Sequence, residues 1–196
     1  MLKAKVAVVI LNWNGKLYLQ QFLPAVIKNS DSATIYIADN NSTDDSISFL
    51  ENNYPDIKII KNKSNSGFAK GYNDALKHID AEYFVLLNSD VEVTPNWIEP
   101  IIDVMIADEN ISACQPKILD FKNKLNFEYA GAAGGYIDKF GYPFCRGRLF
   151  NDIEIDNHQY DNVTEIFWAT GACLFLKVKA FWEVGGFDDD YFAHME

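Results

Sequence analysis

The sequence is poor in positive charge, in cysteine and in long apolar runs, and each scarcity argues against a class of protein. Lys and Arg total 17 against 28 Asp and Glu, a formal net charge of −11. General nucleic-acid binding needs a basic footprint, so no nucleic-acid partner is expected. Attachment to anionic lipid has no support from the overall charge and would require a local patch. The 3 cysteines, Cys114, Cys145 and Cys173, are odd in number and lack metal-ligand spacing. They read as reduced core thiols in a cytoplasmic setting. No stretch approaches the ~18–20 apolar residues of a membrane helix, so no transmembrane segment is expected. Internal repeats and low-complexity linkers are also missing.

What is present is the composition of a soluble globular domain: 196 residues, 48% hydrophobic and 23% charged. That length allows one substantial core, and residues 1–196 read as a single domain. The opening MLKAKVAVVILNW has a short apolar run without a small-residue cleavage site, and reads as a first strand rather than a signal peptide. Without an export signal, the N-x-Ser/Thr matches at Asn41, Asn62, Asn110 and Asn162 are taken as chance.

Strands and helices alternate through the first half. Val6–Leu11 is a continuous β-branched run, hence a buried strand, and Leu19, Phe22, Leu23, Val26 and Ile27 then form one helical face. Thr34–Ala38 predicts a second strand. Ser42 and Asp45 suggest a capping box opening a helix through Asn53. Ile57–Ile60 predicts a third strand and Phe68–Ile79 a helix. Tyr83–Leu87 is a further buried strand, after which Thr94-Pro95 suggests an N-cap with proline in the first helical position. Ile111–Gln115, Glu165–Trp168 and Ala172–Leu176 read as short strands and Lys179–Val184 as one or two helical turns. Such alternation points to a mostly parallel sheet with right-handed crossovers.

In a parallel sheet the polar residues after successive strands converge on the carboxyl edge, where open α/β folds bind ligands. Here those residues are Asn12-Trp13-Asn14, Asp39-Asn40-Asn41, Asn62–Gly67 and Asn88-Ser89-Asp90. Each alone is a polar turn; together, two of them bearing an acid, they describe a site.

The segments VVILNWNG, IADNNSTDDS, NSGFAKGYN and LLNSDVEV, in that order, resemble the nucleotide-binding half of inverting family 2 glycosyltransferases, including rhamnosyltransferase-like members. The later TGACLFLKVKAFWEVGGFDDDYFAHME resembles their acceptor-side segment. The resemblance implies the GT-A fold, a Rossmann-like, mostly parallel sheet with helices on both faces. Residues 1–115 would be the nucleotide-binding half and 116–196 an incomplete acceptor-side half. It implies transfer of a sugar from a nucleoside-diphosphate donor to a hydroxyl of a glycan or lipid-linked glycan, in cell-envelope polysaccharide synthesis. The setting would be the cytoplasm, with peripheral association at the inner face of the membrane.

Carried over residue by residue, Asp39 matches the acid that bonds the base or ribose, or else closes an Asx-turn. Asn12, Trp13 and Asn14 match the contacts to the base, with a core tryptophan as the competing reading of Trp13. Asn41 and Asp44 lie in the same segment, and Asp44 equally suits a helix cap. Gly67 permits close backbone approach or an unusual φ. Asn73 matches the family's helix asparagine. Lys70 could meet the diphosphate or lie on a solvated face. Asn88, Ser89 and Asp90 occupy the Asp-x-Asp position: Asn88 departs from it, and Asp90 is the expected ligand of Mg²⁺ or Mn²⁺. Thr170, Gly171 and Ala172 resemble the turn beneath the donor sugar. The acidic run Asp188–Asp190 reads as a solvated loop. The catalytic base of the family is an acid that here would follow Glu196, so Glu196 serves only if the register differs by one. This ending predicts a chain truncated in its acceptor-binding part. The alternative is a nucleotide-sugar binding module lacking its base. A nucleotidyltransferase would want a phosphate-binding Gly-rich loop, of which Asn12-Trp13-Asn14-Gly15 is a poor version.

Overall fold

The structure, a computed structural model, describes residues 4–193. Along the chain, β1 (Val6–Asn12) leads to α1 (Lys16–Lys28), β2 (Thr34–Asp39) to α2 (Ser46–Asn53), β3 (Lys58–Lys61) to α3 (Gly67–Leu76), and β4 (Tyr83–Asn88) to α4 (Glu99–Ala107). The short β5 (Ala113–Cys114) follows, then β6 (Gly135–Ile137), β7 (Pro143–Cys145), β8 (Arg148–Leu149) and β9 (Asp152–Ile153). The order closes with β10 (Cys173–Lys177) and α5 (Val178–Glu183).

The main sheet runs β3-β2-β1-β4-β10-β5. Its β3, β2, β1 and β4 are parallel, as the alternation requires. β10 inserts antiparallel between β4 and β5, which makes the sheet mixed. Register decides what the carboxyl edge displays: Asn12 lies opposite Asp39, and Leu11 opposite Asn88.

The unbroken apolar runs follow from burial on both faces. Val6, Val8, Ile10, Ile37, Val85 and Leu87 pack against residues of α1, α2 and α4. Ala7, Val9, Ala38, Phe84 and Leu86 pack against Tyr72 and Leu76 of α3 and Phe181 of α5. A separate small sheet, β6-β7-β8-β9, closes around Phe127, Ala132, Ala133 and Cys145.

The structure corrects several sequence expectations. α2 starts at Ser46 with no cap bond from its N-cap residue Asp45, and the Ser42 hydroxyl is taken by Asn12 and Asn14 instead. Thr94-Pro95 does not open α4. Asn96 takes a left-handed φ of 59°, and the helix starts at Glu99 with Pro100 in its first turn. Glu165–Trp168 is not a strand; Trp168 makes only an isolated bridge to Gly135. The cysteines are free thiols, with Cys145 and Cys173 buried and Cys114 half-buried.

Phe175, fully buried in β10, stacks edge-on against Trp97 at 5.7 Å and fastens the antiparallel strand to the α4 side. Phe175→Ala should cost about 3–5 kcal/mol in chemical denaturation; a loss under ~1 kcal/mol would mean that β10 contributes little to the core.

Candidate functional site

The tip of β1 is tied to that of β2 through carboxamides. Asn12 is 1% exposed, and its Nδ2 donates to Asp39 Oδ1 and to Ser42 Oγ, both at 3.0 Å. The Ser42 backbone N–H donates to Asp39 Oδ2 at 3.0 Å. Both oxygens of the buried Asp39 thus hold one hydrogen bond and keep further lone pairs, so turn and ligand roles are compatible. Asn12 Oδ1 is buried without a partner and lies above Gly15, where a Cβ would approach it to 2.5 Å.

Asn14, at φ 52°, accepts at Oδ1 from the backbone N–H groups of Thr43 (2.7 Å) and Asp44 (3.1 Å). Asp44 in turn accepts from the Lys16 and Ser46 N–H groups, at the starts of α1 and α2. Burial works to raise the Asp44 carboxyl, but the hydrogen bonds from Ser46 and Lys16, with the Lys16 charge, outweigh it and hold it below the ordinary carboxylate range. The capping reading of Asp44 is therefore present in the structure. Asn41, at φ 62°, turns the exposed chain between them.

A second group of asparagines joins β2 and β3 to α3. Asn40 donates to Asn65 Oδ1 and to the Gly67 carbonyl, each at 2.9 Å, and accepts from Asn62. Gly67 has φ 81°, and a Cβ there would collide with the Phe192 carbonyl oxygen, so both properties expected of this glycine are used. That same oxygen accepts from the Phe68 N–H at 2.7 Å and occupies the first turn of α3. Asn73 holds the rest of this tail: its Nδ2 donates to Phe187 O (2.8 Å) and Asp189 Oδ1 (2.7 Å), and its Oδ1 accepts from Phe187 N (3.0 Å).

Lys70 pairs with Asp74 at 3.2 Å and Asp189 at 3.3 Å, and those hydrogen bonds raise its pKa. Its ammonium is thereby neutralised by two acids and is not among the groups lining the cleft. Asp189 is likewise paired, while Asp188, Asp189 and Asp190 are all exposed, as the solvated-loop reading expects.

The tip of β4 meets the acceptor-side turn. The Asn88 N–H donates to the Ala172 carbonyl at 3.0 Å. Thr170 is oriented by Gln115, whose Oε1 accepts from the Thr170 N–H (2.8 Å) while its Nε2 reaches the Gly131 carbonyl (3.2 Å). Gly171 lies over Phe68, with 2.8 Å between a notional Cβ and the ring. Ser89 is half-buried and Asp90 exposed.

Beside these parts lies an open cleft of about 340 Å³ whose walls include Trp13, Asn40, Gly67, Phe68, Ser89 and Phe192; of the expected site residues, Asn12, Asn14, Asp39, Asn41, Asp44, Lys70, Asn88, Asp90 and Thr170–Ala172 are not in its lining. Trp13 is 56% exposed, which overturns the core reading and leaves an open aromatic face at the cleft. Asn40 and Asn65 belong to the strand-end segments expected at the edge, whereas Phe68 and Phe192 were not expected as wall residues. Asn40 was legible as the middle of a strand-end Asp-Asn-Asn, whereas nothing local marks Phe192. Glu196 and His194 lie outside the described residues. Among the described residues no group of three or more His, Cys, Asp or Glu could hold a metal. A single carboxylate, Asp90, does suit an Mg²⁺-type ion that takes one or two carboxylates plus phosphate oxygens.

The model of the family described as glycosyl transferase family 2 matches residues 7–185. An N-acetylglucosaminyl-diphospho-decaprenol L-rhamnosyltransferase of Mycobacterium tuberculosis is 24% identical over 208 residues, covering 96% of this chain and 66% of the relative. The mannosyltransferase PcManGT from Pyrobaculum calidifontis, solved with GDP-Man and Mn²⁺, superposes with a TM-score of 0.63 at 18% identity, covering 97% of this chain and 49% of that one. Residues 1–349 of TarS from S. aureus give a TM-score of 0.66 at 14% identity, covering 97% and 52%. At these identities the solved structures show the fold, which is GT-A.

Asn73→Ala should loosen the tail by about 1–3 kcal/mol, read as faster amide exchange at Phe187–Phe192 with β1 and β4 still protected. The Asn73 amide, helped by Lys70 and opposed by burial, holds the Asp189 carboxyl below the ordinary range. A lowered folded pKa stabilises above the unfolded value, about pH 4, and that contribution disappears as pH falls through the folded one. Tail protection should therefore decline below about pH 4, and Asp189→Asn should remove that dependence.

Proposed function

We propose, on the premise that the chain belongs to glycosyl transferase family 2, that it binds a nucleoside-diphosphate sugar at the carboxyl edge of its sheet and transfers the sugar to a hydroxyl acceptor. The acceptor is a glycan or lipid-linked glycan of the cell envelope, and the transfer inverts the anomeric carbon. The observation that carries this reading is the convergence of the β1, β2 and β4 tips on one cleft with an open tryptophan face. Trp13 offers a π-surface for a base. The free lone pairs of Asp39 accept from base N–H or ribose hydroxyl donors, with Asn12 and Ser42 fixing the carboxylate's orientation. Asn14, Asn41 and Asp44 shape the loop behind that wall.

At the β4 tip, Asn88 supplies a neutral acceptor for the ribose and Ser89 a hydroxyl on the cleft. Asp90 would hold Mg²⁺ or Mn²⁺, which when bound neutralises charge on the departing diphosphate. The pairing of Lys70 favours its holding the tail rather than the diphosphate. The small residues of Thr170-Gly171-Ala172 leave room for the sugar beside β4. A carboxylate base removes the acceptor proton as the hydroxyl attacks opposite the leaving nucleotide; Glu196, or an acid beyond it, is the proposed base. The transferred sugar is of hexosyl or rhamnosyl type, the rhamnosyl option drawing on the mycobacterial relative's name. Work at a membrane's inner face follows from the lipid-linked substrate in that name; among the described residues no helix is long and apolar enough to cross a membrane.

Titration calorimetry with uridine, guanosine and thymidine diphosphates, with and without Mn²⁺, tests the site. Asp90→Ala should abolish the metal-dependent part of the affinity at nearly unchanged thermal stability; wild-type affinity with metal would sink its assignment. Asp39→Asn should weaken metal-free binding about 10-fold or more, through loss of a charged hydrogen bond of ~1.5–3 kcal/mol. Release of free nucleotide from a donor on adding acceptor separates transfer from binding alone.

A further inference from the structure

We infer that Gln115 is a positioning residue, whose side chain clamps the chain leaving the main sheet to the chain returning to it. The clamp fixes the Thr170-Gly171-Ala172 turn against the tip of β4. This role rests on the proposed function of that turn beneath the donor sugar.

The chain leaves the main sheet after β5, builds the small sheet and returns into β10. Gln115 is the first residue beyond β5, and Thr170 lies in the approach to β10. The returning segment is held at both of its ends. At the small sheet, the Trp168 carbonyl accepts from the Gly135 N–H (3.1 Å) and its Nε1 donates to the Tyr136 carbonyl (2.9 Å). At the main sheet, the Ala172 carbonyl accepts from the Asn88 N–H (3.0 Å). Among the described residues, no backbone–backbone hydrogen bond reaches Ala169, Thr170 or Gly171 in between. The Thr170 N–H goes instead to Gln115 Oε1 at 2.8 Å.

The chemistry of a carboxamide suits this position, because one group accepts and donates at once. While Oε1 takes the Thr170 N–H, Nε2 donates to the Gly131 carbonyl at 3.2 Å. Pro116 follows directly and disfavours helical backbone at Gln115, which narrows the directions open to its side chain.

Gly131 forms the other jaw. A Cβ there would come within 2.4 Å of Thr170 Cγ2 and 3.0 Å of its Oγ1, so this glycine is used for close approach. It is itself fixed, since its N–H donates to Glu128 Oε2 (2.8 Å) and its carbonyl also accepts from the Gly134 N–H (3.1 Å). On the far side of the turn, Gly171 meets the ring of Phe68, a wall of the cleft. A displaced Thr170 would therefore carry Gly171 with it and change the cleft beside β4. The β1 and β2 tips, proposed to hold the nucleotide, make no contact with Gln115 among its hydrogen bonds. Losing the clamp should then affect the sugar and spare the nucleotide, a selectivity that mere support of the fold would not produce.

Hydrogen exchange of the full chain and paired titrations test this. Gln115→Leu keeps the bulk and removes both hydrogen bonds. It should speed exchange about 10-fold at Thr170, and also at Asn88 and Ala172, whose amides Gln115 does not touch, with β1 and β2 still protected. Affinities with Mn²⁺ are then compared within the pairs UDP and UDP-N-acetylglucosamine, GDP and GDP-mannose, and TDP and TDP-rhamnose. In Gln115→Leu the nucleoside diphosphate should bind within about 2-fold of wild type, while the accepted nucleotide sugar should bind about 5–10-fold more weakly. Gly131→Ala, which pushes Thr170 from the opposite side, should give the same selective loss. Unchanged exchange at Asn88 and Ala172 in Gln115→Leu overturns the inference. So does unchanged nucleotide-sugar affinity, or an equal loss for both members of a pair. Wild-type affinity for none of the pairs would instead overturn the donor-site reading on which this role rests.

Discussion

Everything at the cleft depends on β1 being held between β2 and β4 in a parallel register. That pairing sets Asn12 against Asp39 and Leu11 against Asn88. The register is fixed by a difference between the two faces of the sheet. Val6, Val8 and Ile10 meet the side of α1, α2 and α4, while Ala7 and Ala38 leave space for Tyr72 on the other side. A slip by one residue would exchange large for small on both faces at once. The Tyr72 hydroxyl reaches the Val9 and Leu87 carbonyls across β1 and β4, so the helix above is keyed to the same alignment.

Neutral amides do most of the joining at the edge. Asn12, Asn14, Asn40, Asn62, Asn65 and Asn73 each satisfy main-chain or side-chain groups on a different segment. A carboxamide donates and accepts at once, so it can bridge loops without adding charge. The acids at the tips are then few and differently placed. Asp39 is buried and held from both sides, whereas Asp90 is open to solvent. In the proposed function the first would serve fixed hydrogen-bond recognition and the second an ion that keeps part of its own hydration.

The parallel core was legible because β1, β2 and β4 are apolar runs ending abruptly in asparagine and aspartate, a pattern that marks strand and edge together. β10 was found as a strand, but its direction was not, since CLFLK buries equally well either way along β4. The starts of α2 and α4 were misplaced because Ser42 and Pro95 carry strong local helix signals. Ser42 is instead used by Asn12 and Asn14, and Asn96 turns the chain after Pro95. Trp13 could not be assigned to core or cleft from its neighbours. The wall made by Phe192 depends on Asn73 and Gly67, far away in the chain, and no local spacing encodes it.

The Phe192 carbonyl that closes the first turn of α3 also imposes an order in time. Residues 187–193 leave the ribosome after every other residue of the cleft, and the sheet edge with its asparagine loops can assemble before they emerge. Until they do, the Phe68 amide lacks its acceptor and Gly67 has no carbonyl packed on its α-carbon. A nascent chain would therefore display the strand tips as an open shelf, and the cleft would gain its Phe192 wall only as synthesis reaches the tail.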